Sequence, residues 1–413
     1  QPNIWYELNT LTFTLSPQAG DVDLDGVTVS SPIDLNGGTI KDAKGNNAAL
    51  TFTPPSTTNV KVNYPSLGMD FVYDADGRFT LNGTVYNDLT SFLSAAGGTF
   101  TRASIGTYFD STGTLQTATS GVPRFDYDPV THASKGILIE EQRTNILKYG
   151  SNISTNWNVN PNLTRTVNAA TSPNGSTEAA YIQIASGTDK YIYQNLSQSL
   201  ANGQSWVFSV WLWSNTISNL TLFIYANAPL TNVTTQTVTL TPTPQRFYIT
   251  RTLSGLTTET NIYVRVDTQN ASATEINTGD FYMWGAQLEQ GSFPTSYIPT
   301  TNAAVTRAAD NLTIPTGSWL NASSGTLTSN GDINFLGGAG WMGFSALDDG
   351  TSTNAIHMLV SDSGGDVQRI EAFNSGTTIS YIVGTSYTPG SLTKLAVGYE
   401  NNNTNLGGIS ANF

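Results

Sequence analysis

The sequence predicts an all-β protein built of tandem antiparallel β-sandwiches with one short helix. Three observations carry this. Glycine is abundant (38 of 413 residues) and, with Ser, Thr and Asn, punctuates the chain at short intervals. Between those turns lie short runs rich in β-branched and aromatic residues, several of them alternating apolar with polar. Charged residues make up 11% and aromatics 10%, so the chain has the apolar content for packed cores and lacks the charge of a disordered one.

At 413 residues the chain has room for several domains, and composition divides it into 1–66, 67–150, 151–300, a linker 301–315, and 316–413. The net charge of −13 argues against a nucleic-acid partner, which would need a basic stripe. The absence of cysteine excludes disulfides, thiolate nucleophiles and Cys-ligated zinc. No apolar run approaches the roughly 20 residues needed to span a bilayer, so membrane insertion is not expected. Opening on Gln1 rather than Met, the chain is expected to be a processed form or a fragment.

Residues 1–66 alternate short β runs with turns: Leu11–Leu15, Val27–Val29, Leu50–Thr53 and Val60–Asn63. Asp21-Val-Asp23-Leu-Asp25-Gly26 has the carboxylate spacing that opens a calcium loop, but its twelfth position is Pro32 where a bidentate Glu belongs, so it is not an EF-hand. Asp21, Asp23 and Asp25 are candidate ligands of a structural calcium, with a solvated turn as the alternative; no other cofactor is suggested. A helix is expected within 78–98, with Asn87 as N-cap, Asp88 in the first turn, Leu89, Phe92 and Leu93 on one apolar face, and Gly97-Gly98 as the stop.

The densest stretch runs from Thr99 to Tyr149. Arg102, Arg124 and Arg143 sit among Asp110, Asp126, Asp128, Glu140 and Glu141, and Asp110-Ser-Thr-Gly113 reads as a hairpin turn between two alternating runs. The expectation is a connector module held by buried or half-buried Arg–carboxylate pairs. Farther on, Arg307-Ala-Ala-Asp310 echoes Arg102-Ala-Ser104, which suggests that both arginines pin module boundaries.

From Ser151 to Thr300, strands are expected at Tyr191–Asn195, Trp206–Ser214, Leu220–Tyr225, Thr235–Thr241, Arg246–Thr252, Thr260–Asp267 and Asp280–Leu288. Ile262, Val264 and Val266 alternate with Tyr263, Arg265 and Asp267, giving one buried and one wet face. Two runs are apolar on both faces. Phe208, Val210 and Leu212 oppose Trp211 and Trp213, while Leu222 and Ile224 oppose Phe223 and Tyr225. Sugars stack their C–H faces on aromatic rings, so Trp211, Trp213, Phe223, Tyr225, Tyr263 and Arg265 are the candidate glycan groove. The alternative is that a loop, a neighbouring domain or a second subunit covers them. In 316–413, strands are expected at Gly325–Thr328, 340–347, Ala355–Val360, Gln368–Phe373, Thr378–Val383 and Lys394–Tyr399, an arrangement expected to be completed beyond Phe413 or by a neighbour.

Several of these stretches resemble known families. FTRAS, TYFDSTGTLQTA, VPRFDYDP and KGILIEEQRTNIL, with the later WGAQLE, TSYIPT and VTRAAD, resemble blocks of bacteriophage tail-fibre and related virion surface proteins over about Gly68 to Pro315. The resemblance implies a virion-borne β-rich protein that meets a cell surface, often as a homotrimer, and it names no catalytic residue. The run 26–50 is similar to immunoglobulin-like repeats of bacterial adhesins, 151–300 looks like the jelly-roll carbohydrate-binding modules, and SWLNASSGTL resembles the opening of concanavalin A-like (laminin-G-like) sandwiches.

Catalytic signals are few. His132 and His357 lack partners at metal spacing, and no nucleophile elbow or phosphate-binding loop occurs. Asp126/Asp128, Glu140/Glu141 and Asp348/Asp349 are the adjacent carboxylates that a glycosidase would require, but neighbours on a strand face opposite ways. The expectation is therefore a non-enzymatic virion fibre protein that adheres to host surface polysaccharide and contacts other virion proteins. A purely structural fibre or decoration protein, or a bacterial surface adhesin, is the alternative.

Overall fold

The computed structural model describes residues 27–42, 44–57, 60, 66–73, 76–226, 233–256, 259–269, 274–333, 341–361 and 366–400, and the backbone of 22–23 and 62–63. Among these residues every sheet is antiparallel and there is a single α-helix, so the fold class is all-β. The chain divides into two compact units, 1–98 with 314–320, and 99–313 with 321–413.

In the first unit, Leu67–Asp70, Arg78–Leu81 and Thr84–Tyr86 form a three-stranded meander. Helix α1 (Leu89–Ala96) packs on it through Phe92, whose ring stacks on Phe79 at 5.1 Å. Leu89, Phe92 and Leu93 are buried, as their spacing predicts. The N-cap is Asp88 rather than Asn87. Its carboxylate accepts the Ser91 N–H at 2.7 Å, a bond the more distant Asn87 does not make, and Gly97 (φ 69°) closes the helix. The immunoglobulin-like sandwich expected over 1–66 is not seen among the described residues. They hold the two-residue pair Val22–Asp23 with Val62–Asn63 and one bridge, Lys41 to Asn47. The described residues of 27–57 are exposed or half-buried, and most of 1–26 lies outside the described residues. Leu11–Leu15 lies outside the described residues.

The second unit is built on a ten-stranded sandwich, labelled here in chain order: β1 (Asn158–Val159), β2 (Leu163–Thr171), β3 (Thr177–Ile184), β4 (Tyr191–Ser197), β5 (Ser205–Trp213), β6 (Asn219–Ala226), β7 (Val233–Thr239), β8 (Gln245–Thr252), β9 (Asn261–Asp267) and β10 (Gly279–Gln290). One sheet runs β1-β4-β9-β6-β7 and the other β2-β3-β10-β5-β8. The chain stays within one sheet at β2 to β3 and at β6 to β7 and crosses to the other sheet at each of the remaining connections, which is jelly-roll construction. Between the sheets lies a core that includes Ile182, Ile192, Phe208, Val210, Leu222, Ile224, Ile262, Val264, Val266, Phe281 and Met283, all fully buried.

The connector stretch forms two hairpins, Gly106–Phe109 with Leu115–Ala118 and Phe125–Tyr127 with Ser134–Ile137. The Asp110–Gly113 turn is present, with Gly113 at φ 76° and the Asp110 carboxylate accepting the N–H groups of Thr112 and Thr114. Two strand pairs then join it to the segment after β10: Arg143–Asn145 with Val305–Arg307, and Thr99–Thr101 with Asn311–Thr313. The last part of the chain contains a four-stranded sheet (Trp341–Asp348, Ala355–Ser361, Val367–Asn374, Thr377–Ser386) and the pair Ser324–Gly331 with Thr393–Glu400. Met358, Ile370, Leu395 and Val397 close a core between these layers.

Candidate functional site

The residues singled out as a glycan groove fall into two groups on opposite sheets. Phe223 and Tyr225 on β6, with Tyr263 and Arg265 on β9, point outward from the first sheet, because their neighbours Leu222, Ile224, Ile262, Val264 and Val266 are drawn into the core. Strand β4 adds Tyr191, Tyr193 and Asn195 on the same side, while Ile192 is fully buried. The register sets three rows across the sheet: Tyr193, Arg265 and Phe223; Asn195, Tyr263 and Tyr225; Tyr191, Asp267 and Thr221.

The rings make a continuous half-buried platform. Tyr225 and Tyr263 stack at 4.8 Å with an interplanar angle of 5°, and Tyr191 lies 5.6 Å from Tyr193. The Arg265 guanidinium sits 3.7 Å over Tyr191 and 4.6 Å from Phe223, and donates through Nη2 to Asp267. Asn195 Nδ2 donates to the Tyr263 hydroxyl at 3.0 Å. Burial draws the Arg265 pKa down, while Tyr191, Tyr225, Asp189 and Glu275 pull it back. Burial also raises the Tyr225 phenol, so its hydroxyl stays protonated and able to donate. Flat aromatic surface bordered by amide, hydroxyl and guanidinium donors is the chemistry that holds a sugar ring.

Trp211 and Trp213 do not belong to this platform. They lie on the outer side of β5 in the other sheet, 4% and 5% exposed, and pack with Leu115, Ala179, Trp284 and Tyr297. Trp211 meets Trp284 edge-on at 5.2 Å, Trp213 stacks on Tyr282 at 5.3 Å, and Arg246 lies 4.6 Å over Trp211. The cover comes from the same chain: Leu115 belongs to the connector hairpin, and Tyr297 is held by Thr107, which donates to its carbonyl. Alternation identifies the side of a strand on which a residue stands, but not the sheet that strand joins or what is laid over it.

The connector arginines behave as their density predicts. Arg102 Nη1 meets Asp310 Oδ1 at 2.9 Å, Arg124 Nη2 meets Asp310 Oδ2 at 2.5 Å, and all three side chains are fully buried. Glu140 bridges Arg124 at 2.8 Å and Arg307 at 3.0 Å, and accepts the Ser296 N–H and hydroxyl. Burial pushes the Glu140 carboxyl up, but Arg307, Arg124 and Ser296 outweigh it and hold the pKa below its ordinary value. The WGAQLE run is explained by the same docking. Gln287 Oε1 accepts the Ile298 N–H, and Glu289 accepts the Thr295 N–H and hydroxyl.

The carboxylates weighed for hydrolysis are engaged elsewhere. Glu140 belongs to the ion cluster and Glu141 to Arg143. Asp126 accepts the Phe109 N–H, and burial raises its pKa. Asp128 closes its own turn by accepting Val130 and Thr131 N–H, which, with Lys135 nearby, lowers its pKa to about 2. Asp348 and Asp349 likewise accept N–H groups of Gly350 and Thr351. Of the calcium candidates, Asp21 and Asp25 lie outside the described residues, and Asp23 is described only as backbone paired with Val62. Among the described residues no group of three His, Asp or Glu could hold a metal ion, and no helix is long and apolar enough to cross a membrane.

No family model matches the chain, and no curated protein matches it. Among solved structures, it is similar to a CBM4 module (20% identity, 37% of this chain and 96% of that one, TM-score 0.24). It is also similar to a CBM22 xylan-binding domain from Paenibacillus barcinonensis (5% identity, 37% and 94%, TM-score 0.28). A third is the enzymatically active domain of tailspike protein 4 of bacteriophage CBA120 (13% identity, 36% of this chain and 21% of that one, TM-score 0.26). Scores at this level decide nothing about this chain, whose fold rests on its own strand order.

Proposed function

We propose that the tyrosine face of the first sheet binds host surface glycan, and that the chain is a non-enzymatic fibre protein at the surface of a phage virion. The observation that carries the binding reading is the stacked, half-buried Tyr225–Tyr263 pair, flanked by Asn195 and Arg265 on an outward sheet face. A sugar ring laid on these phenols gains C–H to π contact, and its hydroxyls find donors at the rim. The fibre assignment is prompted by the connector and exit blocks, whose Arg–carboxylate cluster suits a rigid module in an adhesive particle. Association as a homotrimer alongside other virion proteins would multiply weak sites through valency.

The test is a glycan array probed with the full chain and with Tyr225→Ala/Tyr263→Ala, beside a light-scattering measurement of molar mass. Binding to host glycans that the double variant loses supports the reading; equal binding by both proteins sinks the site assignment.

A second reading is a structural fibre in which the tyrosine face is a subunit contact. It is favoured by the way this chain already buries one aromatic face, that of Trp211 and Trp213, beneath its own hairpin. Tyrosines shielded from chemical modification in the oligomer, with no glycan bound, would support it. A bacterial adhesin would instead be marked by genomic neighbours for secretion or pili.

A further inference from the structure

We infer that the tyrosine face takes uncharged sugars, and that Asp267 is the residue that makes it refuse acidic ones. The inference rests on the glycan reading of the same face and names the class of ligand. Among the described residues of that face, Arg265 is the one cation, and its charge is already paired with Asp267. Its guanidinium donates to Asp267, whose side chain is 0% exposed, while its own is 15% exposed. Asp267 is fixed in turn, its other carboxylate oxygen accepting the Gln269 N–H at 2.9 Å. Tyr191 lies against the guanidinium plane at 3.7 Å, so the cation cannot swing out to meet a ligand without giving up both partners.

The charges around it have the wrong sign for an acidic sugar. Lys190 is fully buried, its ammonium donating to the Ile276 carbonyl with Glu275 at 3.8 Å, and so is withdrawn from the surface. Asp189 is exposed and Glu275 half-buried, and both act on Arg265. The adjoining sequences 227–232 and 270–273 contain no Lys or Arg. A uronate docked on Tyr191 and Tyr263 would therefore meet an arginine already neutralised, with further carboxylates behind it. The chain's net charge of −13 repels a polyanion at longer range as well. A neutral ring encounters none of this and keeps its stacking and its hydroxyl contacts.

The experiment takes the neutral oligosaccharide that binds best and compares it with the same oligosaccharide oxidised at C6 to the uronate, by calorimetric titration of the full chain. The oxidised form is expected to bind at least about tenfold more weakly, because like charges brought together in an interface are strongly disfavoured. Asp267→Asn, which frees Arg265, is expected to close most of that gap. The exposed Asp189→Asn is expected to narrow it several-fold without touching the core, so the inference stays testable if Asp267→Asn fails to fold. Uronates binding as well as neutral sugars, or better, would overturn this inference while leaving the glycan platform standing. Binding of neither class would overturn both.

Discussion

Replacing Asp310 with alanine is expected to loosen the second unit more than any other single charge removal. Its side chain is fully buried between Arg102 and Arg124, themselves fully buried, and it also accepts the Glu140 N–H at 3.0 Å. Without it, Arg102 keeps only carbonyl partners, at Ser104, Ala118 and Thr119, and one buried guanidinium loses its counter-charge. Breaking a buried pair from one side costs about 3–5 kcal/mol, since the remaining charge stays desolvated. For a unit of this size that corresponds to a fall in Tm on the order of 10 °C. The contrast is Glu141→Ala, whose carboxylate is 55% exposed and pairs with Arg143 at the surface. Such a pair is worth about 0–1 kcal/mol. Urea unfolding followed by tryptophan fluorescence reads both variants, because Trp211, Trp213 and Trp284 are buried in the docked layer. An Asp310→Ala midpoint indistinguishable from that of Glu141→Ala would refute the reasoning that the cluster clamps the connector to the sandwich.

Acid should weaken the same clamp. Because the folded-state pKa of Glu140 is depressed, its stabilisation is present in full above its unfolded value and is lost as pH falls through the folded one. Asp128 behaves likewise, losing its contribution as pH falls from about 4 towards its folded pKa of about 2. Glu289 works the other way, since burial raises its pKa and its ionisation opposes folding as pH rises; Glu289→Gln should therefore flatten that part of the stability–pH curve. Gly285→Ala should destabilise by roughly 1–3 kcal/mol, judged by unfolding midpoint. That glycine adopts φ 65° in the bulged register opposite Trp211, and a Cβ there would lie 2.5 Å from the indole. Asp88→Ala should cost about 1 kcal/mol through the lost helix cap, read by thermal unfolding of the full chain.

Much of the architecture was legible because burial writes itself into alternation. The Ile262/Val264/Val266 stripe, the two-faced β5 and the buried connector arginines all follow from residue type and spacing. Strands β2 and β3 were not legible. Leu163–Thr171 is mostly exposed and polar, and Thr177–Ile184 carries Glu and two Ala where β-branched residues would signal a strand. The site was half legible. The outward face shared by Phe223, Tyr225, Tyr263 and Arg265 follows from alternation, whereas Tyr191, Tyr193 and Asn195, which the register sets beside them, were not singled out although Tyr-Ile-Tyr-Gln-Asn alternates plainly. What gathers them is the β4–β9–β6 register, and pairing between residues about 40 to 75 positions apart leaves no local mark. The same gap placed Trp211 and Trp213 with residues of the opposite sheet.

The measurement that bears most directly on the central claim is equilibrium binding of the full chain to its best glycan, for the wild type, Tyr225→Ala/Tyr263→Ala and Trp211→Phe. Loss of two stacking rings, each worth about 0.5–1.5 kcal/mol, should weaken binding by roughly tenfold or more while the unfolding midpoint holds. Trp211→Phe should do the reverse, lowering stability and sparing affinity, because its ring lies beneath the connector. Affinity unchanged in the tyrosine variant, or lost in Trp211→Phe while the fold stays intact, would contradict the account.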